Sequence, residues 1–322
     1  MNVRSGGRVG LGVVLALMVG ACRQKEAATQ APVTPVAPVA PKPSAAVDVK
    51  VDPVARGRYL AESVLVCGAC HTERDYSRVG GPVKGAPLAG DCFGEAHGMP
   101  VKVCASNITS DPEHGIGRWT DEELIRAMRE GRGRDGRVLF PMMPYGDWKA
   151  LSDEDARAVV AYLRQVPAVA RSTPRTQLPP EMAAELQGLA VPVSGPVAGP
   201  KEDLVARGQY LTTIGQCGTC HAGMAEGAKP FSGGIPIPGP FGQETAPSLH
   251  PADALLRGMN EDAFVARFKT WKDVPQVASR QGQVNKLVMP WVFFAGFQED
   301  DLRAMYRYLR TLPAASPPSA GK

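Results

Sequence analysis

Residues 67–71 read Cys-Gly-Ala-Cys-His, and residues 217–221 read Cys-Gly-Thr-Cys-His. Cys-x-x-Cys-His is the attachment signature of c-type haem. The two thiols add across the haem vinyl groups as thioethers, and the adjacent histidine becomes the proximal iron ligand. Two intervening residues let both sulfurs reach one macrocycle from a single turn, and the next position aims the imidazole at the iron. A Cys-x-x-Cys pair alone also suits zinc or a redox dithiol. Four cysteines in two pairs 150 residues apart would likewise close one zinc site. His71 and His221, directly after the pairs, and a start that reads as an export signal weigh for haem. Two covalent haem c groups are therefore expected, on Cys67, Cys70, Cys217 and Cys220, with His71 and His221 as iron ligands.

Arg4 and Arg8 precede an apolar run from Val9 to Val19, too short for a comfortable membrane span. The ending Leu17-Met18-Val19-Gly20-Ala21-Cys22 resembles a bacterial lipobox, with Cys22 as the lipid-modified first residue. The alternative is an ordinary secretory signal with an incidental cysteine. Of the seven cysteines, four take haem and one takes lipid, leaving Cys92 and Cys104 as a possible disulfide in an oxidising compartment. From Glu26 to Lys50 the chain is rich in Ala, Pro and Val. That composition cannot pack a core and reads as an extended tether. A second Pro- and Gly-bearing stretch, 171–200, reads as a linker with a short helix of its own around Pro180 to Leu189.

An internal repeat lies around that linker. Val54-Ala55-Arg56-Gly57-Arg58-Tyr59-Leu60 returns as Val205-Ala206-Arg207-Gly208-Gln209-Tyr210-Leu211. Met143-Pro144-Tyr145 returns as Met289-Pro290-Trp291, and Tyr162-Leu163-Arg164 as Tyr308-Leu309-Arg310. Units of this size are domains, not solenoid repeats.

Helical signals dominate. Thr120-Asp121-Glu122-Glu123 is a capping box, followed by Leu124, Ile125 and Met128 on one face and Gly131 as a stop. Ser152 opens a helix with Ala156, Val159, Val160 and Leu163 at helical spacing. Asn260 caps a helix bearing Phe264, Val265 and Phe268, and Leu302, Met305 and Leu309 mark the closing helix. No clean period-two alternation argues for a sheet. The expected fold class is all-α.

On these motifs the chain resembles the class I cytochromes c, across both repeats. Ser106-Asn107-Ile108-Thr109, Gly115-Ile116-Gly117-Arg118-Trp119-Thr120 and Pro144-Tyr145 are more narrowly similar to the cytochrome subunits of membrane-bound bacterial alcohol, gluconate and sorbitol dehydrogenases. Those subunits usually carry three haem domains, whereas this chain has two motifs. The second repeat departs from the pattern, with Ser248-Leu249-His250-Pro251 where the Asn-Ile-Thr segment would stand. The resemblance implies two tandem class I domains, each a few short helices and long loops around one haem. The expected order is signal 1–21, lipidated tether 22–51, domain 52–170, linker 171–200, domain 201–314 and tail 315–322.

A thioether sulfur as sixth ligand stabilises ferrous iron and closes the coordination sphere. Met143 and Met289 are the candidates, because each precedes a proline that fixes the local backbone. Core filling is the competing role for a methionine; Met128 and Met305, on apolar helical faces, are read that way. His97, His114 and His250 sit in polar loops and are read as solvated. Tyr162 and Tyr308 are read as packing the closing helices against the helices of Gly57 and Gly208. Arg126, Arg129, Arg132, Arg134 and Arg137 read as a solvated charged face that would also suit an acidic partner or haem propionates.

The chain holds 36 basic and 32 acidic side chains, and removing Arg4 and Arg8 with the signal leaves +2. No basic surplus or groove motif supports nucleic-acid binding. No residue is assigned a catalytic role. The expected function is electron transfer between a redox protein donor and acceptor, such as a dehydrogenase or terminal oxidase. The chain would be lipid-anchored in the bacterial cell envelope, facing the periplasm. A dihaem peroxidase is the alternative, and it would need an open iron position that the two Met-Pro signals argue against.

Overall fold

The computed structural model describes residues 52–75, 78, 80–94, 101–224, 228–239, 242–273 and 289–313. The signal, Cys22, the tether, His97 and the tail fall outside them. Helix α1 (Pro53–Tyr59) begins on Asp52, whose carboxylate accepts the Val54 N–H at 3.0 Å, with Pro53 at the first helical position. Its counterpart α7 (Leu204–Ile214) begins on Asp203, which accepts from Val205 and Ala206.

The two helices differ by one residue. Arg56, Gly57 and Tyr59 precede Arg207, Gly208 and Tyr210 by 151 positions, whereas Cys67 and His71 precede Cys217 and His221 by 150. The first copy absorbs the extra residue in a single π turn, Leu60–Val64. A wider turn of this kind takes in an insertion while the rest of the helix keeps its phase. Both helix starts and both Cys-x-x-Cys-His segments thus keep equivalent settings.

Each opening helix crosses a closing helix at a glycine. The closing helices are α5 (Asp153–Leu163), capped by Ser152, and α11 (Glu299–Thr311). A Cβ on Gly57 would lie 1.8 Å from the Ala158 carbonyl oxygen and 2.9 Å from Tyr162 Cβ. On Gly208 it would lie 2.0 Å from the Ala304 oxygen and 2.8 Å from Tyr308 Cβ. The tyrosines therefore do pack the closing helices onto the glycine-bearing ones.

Between these elements lie α2 (Cys67–Cys70), α3 (Asp121–Glu130), α4 (Tyr145–Trp148), α6 (Pro180–Leu186), α8 (Cys217–Cys220), α9 (Glu261–Lys269) and α10 (Trp291–Phe294). Helix α3 carries the full capping box, Thr120 with Glu123, and ends on Gly131 at φ +65°. Asn260 caps α9 through the Ala263 N–H at 2.8 Å. The buried core runs through both halves: Leu60, Leu124, Leu151 and Val159 in the first, Leu211, Phe264, Phe268, Phe297 and Leu302 in the second.

Two features correct the sequence reading. The fold is mostly helical but not purely so. Strand β1 (Asp91–Phe93) pairs antiparallel with β2 (Val103–Ala105), and β3 (Pro236–Gly239) with β4 (Gly242–Thr245). Strands of three or four residues are too short to print a period-two pattern. The 171–200 stretch is also not loose, because it is tied along the first half. Asp153 N–H donates to the Val197 carbonyl at 2.9 Å, Val193 N–H to Glu130 Oε1 at 3.1 Å, and Cys104 N–H to Thr176 Oγ1 at 2.9 Å.

The halves are joined by a paired clamp. Arg56 holds Asp155 with two 2.8 Å contacts, and Tyr210 of the second half donates to the same carboxylate at 2.6 Å. Conversely, Arg207 pairs with Asp301 at 2.5 Å, and Tyr59 of the first half donates to Asp301 at 2.5 Å. Burial, reinforced by the neighbouring carboxylates, raises the pKa of Tyr59 and of Tyr210, so both phenols stay protonated donors.

Candidate functional site

Each Cys-x-x-Cys-His segment is a single helical turn entered through a left-handed residue. Val66 stands at φ 48°, ψ 41° before α2, and Gln216 at φ 61°, ψ 23° before α8. A non-glycine residue there costs about 1–2 kcal/mol. The turn closes when His71 N–H donates to the Cys67 carbonyl at 3.0 Å and His221 N–H to that of Cys217 at 2.9 Å. Both sulfurs and the imidazole of each segment are thereby gathered on one turn.

The imidazoles are oriented alike. His71 Nδ1 lies 2.6 Å from the Ser106 carbonyl oxygen, and His221 Nδ1 lies 2.7 Å from that of Pro247. A carbonyl only accepts, so Nδ1 carries the proton and Nε2 keeps a free lone pair. Burial lowers both imidazole pKa values, which favours the neutral form that ligates iron. The histidine backbones are held as well: Gly90 N–H donates to the His71 carbonyl at 2.8 Å and Gly233 N–H to that of His221 at 2.9 Å. Both glycines have positive φ, +89° and +72°.

Cys67, Cys70, Cys217 and Cys220 are unpaired thiols. Burial pushes Cys67 and Cys217 up to about 12, and burial with the nearby Asp91 charge pushes Cys70 up to about 11. They are thus neutral thiols. Among the described residues no three His, Cys, Asp or Glu side chains gather as a metal-ion cluster. Cys92 and Cys104, directly opposite in β1 and β2, form a disulfide with Cα atoms 4.0 Å apart.

Met143 and Met289 are partly buried at the edge of the core. Each begins the same tight turn. Tyr145 N–H donates to the Met143 carbonyl at 2.9 Å and Trp291 N–H to that of Met289 at 2.7 Å. The prolines between stand at φ −85°, ψ 50° and φ −75°, ψ 56°. These are inverse γ-turns, for which proline's fixed φ is suited. Two thiols and a neutral Nε2 in each half suit the covalent attachment and proximal ligation of one haem.

The cytochrome c family model matches residues 54–167, which hold the first of these donor sets. This region is a cytochrome c domain. The chain is 31% identical to the cytochrome c subunit of the quinone alcohol dehydrogenase of Gluconobacter oxydans, covering 81% of this chain and 55% of that protein. It is 30% identical to the fructose dehydrogenase cytochrome subunit of Gluconobacter japonicus, covering 81% and 53%. A diheme cytochrome c-type protein of Cereibacter sphaeroides is 28% identical, covering 77% and 82%. The chain thus spans about half the length of the two dehydrogenase subunits.

Several residues around the cytochrome c domain differ from their sequence reading. His250 is not solvated: it is 1% exposed, with Nδ1 2.6 Å from the Pro313 carbonyl. Its backbone N–H donates to Ser248 Oγ as that of Thr109 does to Asn107 Oδ1, so His250 occupies the Thr109 position of the repeat. His114, by contrast, is exposed as expected, beside Asp111 at 3.4 Å. Arg129 leaves the charged face, being buried against Asp153 at 2.6 Å, while Arg134 and Arg137 pair with Glu123 and Asp135. Sequence reasoning missed Asp155 and Asp301, the shared acceptors of the clamp. Each lies early in its closing helix, where an acidic residue also reads as a first-turn charge.

Proposed function

We propose that the chain binds a second covalent haem at Cys217, Cys220 and His221 and serves as a dihaem electron-transfer subunit, taking electrons from a dehydrogenase partner. The observation that carries this is the duplicated histidine setting: the same one-turn helix, the same Nδ1-to-carbonyl bond and the same glycine N–H on the histidine backbone. Bound haem would supply a one-electron ferrous–ferric couple. The chain's own part is to hold and tune it. His71 and His221 present Nε2 from a fixed ring orientation, and Met143 and Met289 are the proposed second ligands. The apolar core limits water and reorganisation around both sites.

Contacts between the halves support a relay. Asp147, in the turn after Met143, accepts from Thr219 inside the second Cys-x-x-Cys at 2.5 Å. Trp148 Nε1 donates to the Ile214 carbonyl at 2.9 Å. In return, Arg74 beside the first site stacks on Phe293, 4.4 Å from its ring centre. The short helix after each half's Met-Pro therefore contacts the other half at its attachment segment or, through Arg74, whose Nε donates to the Gly68 carbonyl, directly beside it. Denaturing mass spectrometry of the exported protein should show two haem additions. Cys217→Ser should reduce or abolish the second while sparing the first. A mass without haem, or with zinc, overturns the reading.

The proposed location is the bacterial envelope, with acyl chains on Cys22 holding the Pro/Ala tether at a membrane. Among the described residues no helix is long and apolar enough to cross a membrane. Buried acyl chains contribute about 0.8 kcal/mol per methylene, so two or more anchor a domain stably. Full-length protein should sediment with membranes through a salt wash, and Cys22→Ser should remain an unlipidated precursor. Recovery of wild type wholly in the soluble fraction, with another mature end, removes the anchor and leaves the haem proposal standing.

A further inference from the structure

We propose that the Cys92–Cys104 disulfide positions the proximal histidine of the first site, and through it sets the potential of the first haem independently of the second. The inference rests on the dihaem reading above. Both partners of His71 belong to the hairpin that the disulfide closes. Gly90, which holds the His71 carbonyl, immediately precedes β1, and Ser106, which accepts the His71 Nδ1 proton, immediately follows β2. The pair Asp91–Ala105 lies next to them, and Cys92–Cys104 is the pair after that. A covalent link two residues away on either strand therefore fixes the spacing between Gly90 and Ser106.

The hairpin is also tied from outside. Thr176 Oγ1 accepts the Cys104 N–H at 2.9 Å and donates to the Cys104 carbonyl at 3.3 Å, and Thr173 Oγ1 donates to the Ala89 carbonyl at 3.4 Å. The second site supplies an internal comparison. Gly233 and Pro247 grip His221 in the same way and flank the β3–β4 hairpin. That hairpin contains no cysteine, and Gly234 N–H to the Ala246 carbonyl and Ala246 N–H to that of Ile235 continue its pairing. The two histidine grips are alike; only the first is locked covalently.

The lock matters electronically because a proximal imidazole that donates from Nδ1 pushes density toward Nε2 and the iron. A firmly held acceptor sustains that donation, which favours ferric iron and lowers the potential. Without the cross-link the Ser106 carbonyl is held less rigidly, the donation weakens, and the first haem becomes easier to reduce. Cys92 and Cys104 are positioning residues in this scheme, since their sulfurs are spent on each other and would act through Gly90 and Ser106.

The test is a spectrophotometric redox titration of the full-length dihaem protein, resolved into two one-electron waves. The first haem's wave is identified as the one that Met143→His displaces. In Cys92→Ser/Cys104→Ser the ferrous-to-ferric ratio of that wave at fixed ambient potential should rise about tenfold, ~59 mV for one electron. The other wave should stay in place. Thr176→Val keeps the disulfide and removes both side-chain bonds to Cys104, and it should shift the same wave upward by less. If the double variant fails to retain haem, the Thr176→Val result decides. Two haems with both waves unmoved, or both moved equally, overturn the positioning role. An unmutated protein with fewer than two haems would instead overturn the reading beneath it.

Discussion

Gly57→Ala is expected to destabilise the folded protein by at least ~3 kcal/mol, the upper end of ordinary overpacking costs. The added methyl would sit 1.8 Å from the Ala158 carbonyl oxygen, and that oxygen belongs to helical backbone. No side-chain rotation relieves the clash. Helices α1 and α5 would have to separate, disturbing Arg56 on Asp155 and the Tyr162 ring beside Gly57. Gly208→Ala faces the same obstacle at the Ala304 oxygen, 2.0 Å away, and should cost as much. Gly146→Ala is the control. It lies in α4, where a Cβ meets nothing within 4 Å, so its effect should be neutral or stabilising by roughly 0.5 kcal/mol. Urea midpoints of the three holoproteins give the comparison. A Gly57→Ala midpoint matching wild type would show that the two helices do not cross in close backbone contact.

That crossing was legible because the sequence repeats it: a Gly-x-Tyr helix and a Tyr-Leu-Arg helix, twice. The one-residue offset within the repeat was equally present in the numbering, and the π turn at Leu60–Val64 is its structural expression. Capping was read from local chemistry, which is why Thr120, Ser152 and Asn260 all start helices as expected. What escaped the reading depended on distant partners. His250 sits among Ser, Pro and Asp and so looks solvated. Its acceptor, the Pro313 carbonyl, is 63 residues away. Arg129 lies in a run of arginines and leaves the surface only because Asp153 opens the next long helix beside it.

The histidine grips show the same division. Cys-x-x-Cys-His identifies the imidazoles but not what fixes their tautomer, because Ser106 and Pro247 contribute only backbone oxygens. A carbonyl acceptor leaves no side-chain signature, so hairpin placement was invisible until the strands were seen. The clamp residues were half visible. Arg56, Tyr59, Arg207 and Tyr210 stand out by repetition, but their crossing to Asp155 and Asp301 requires the two halves to face each other. Both carboxylates serve an arginine from their own half and a tyrosine from the other. Removing either would leave a half-buried guanidinium and a half-buried phenol short of an acceptor at once.

Replacing Met143 or Met289 by alanine should convert one closed haem into an open one. In the unmutated ferric protein the thioether sulfurs should give the weak charge-transfer absorption at the red end of the visible spectrum, and the ferrous protein should bind no carbon monoxide. Each single variant should lose about half of that band and take up about one carbon monoxide per chain, since one axial donor per haem is removed. The double variant should lose the band and take up about two per chain. Loss of sulfur also lowers the potential of the affected haem, because the thioether stabilises ferrous iron over ferric. The inverse γ-turns at Pro144 and Pro290 should survive, as their hydrogen bonds involve only backbone atoms, so the open site should arise without loss of fold. Met142 makes a useful comparison: it is half-buried beside Met143 but does not begin the turn, and Met142→Ala should leave the band intact. Full retention of the band in the double variant would reassign both ligands. High-spin iron or carbon monoxide uptake before any mutation would mean that one position is open from the start, and would favour peroxide chemistry over plain electron transfer.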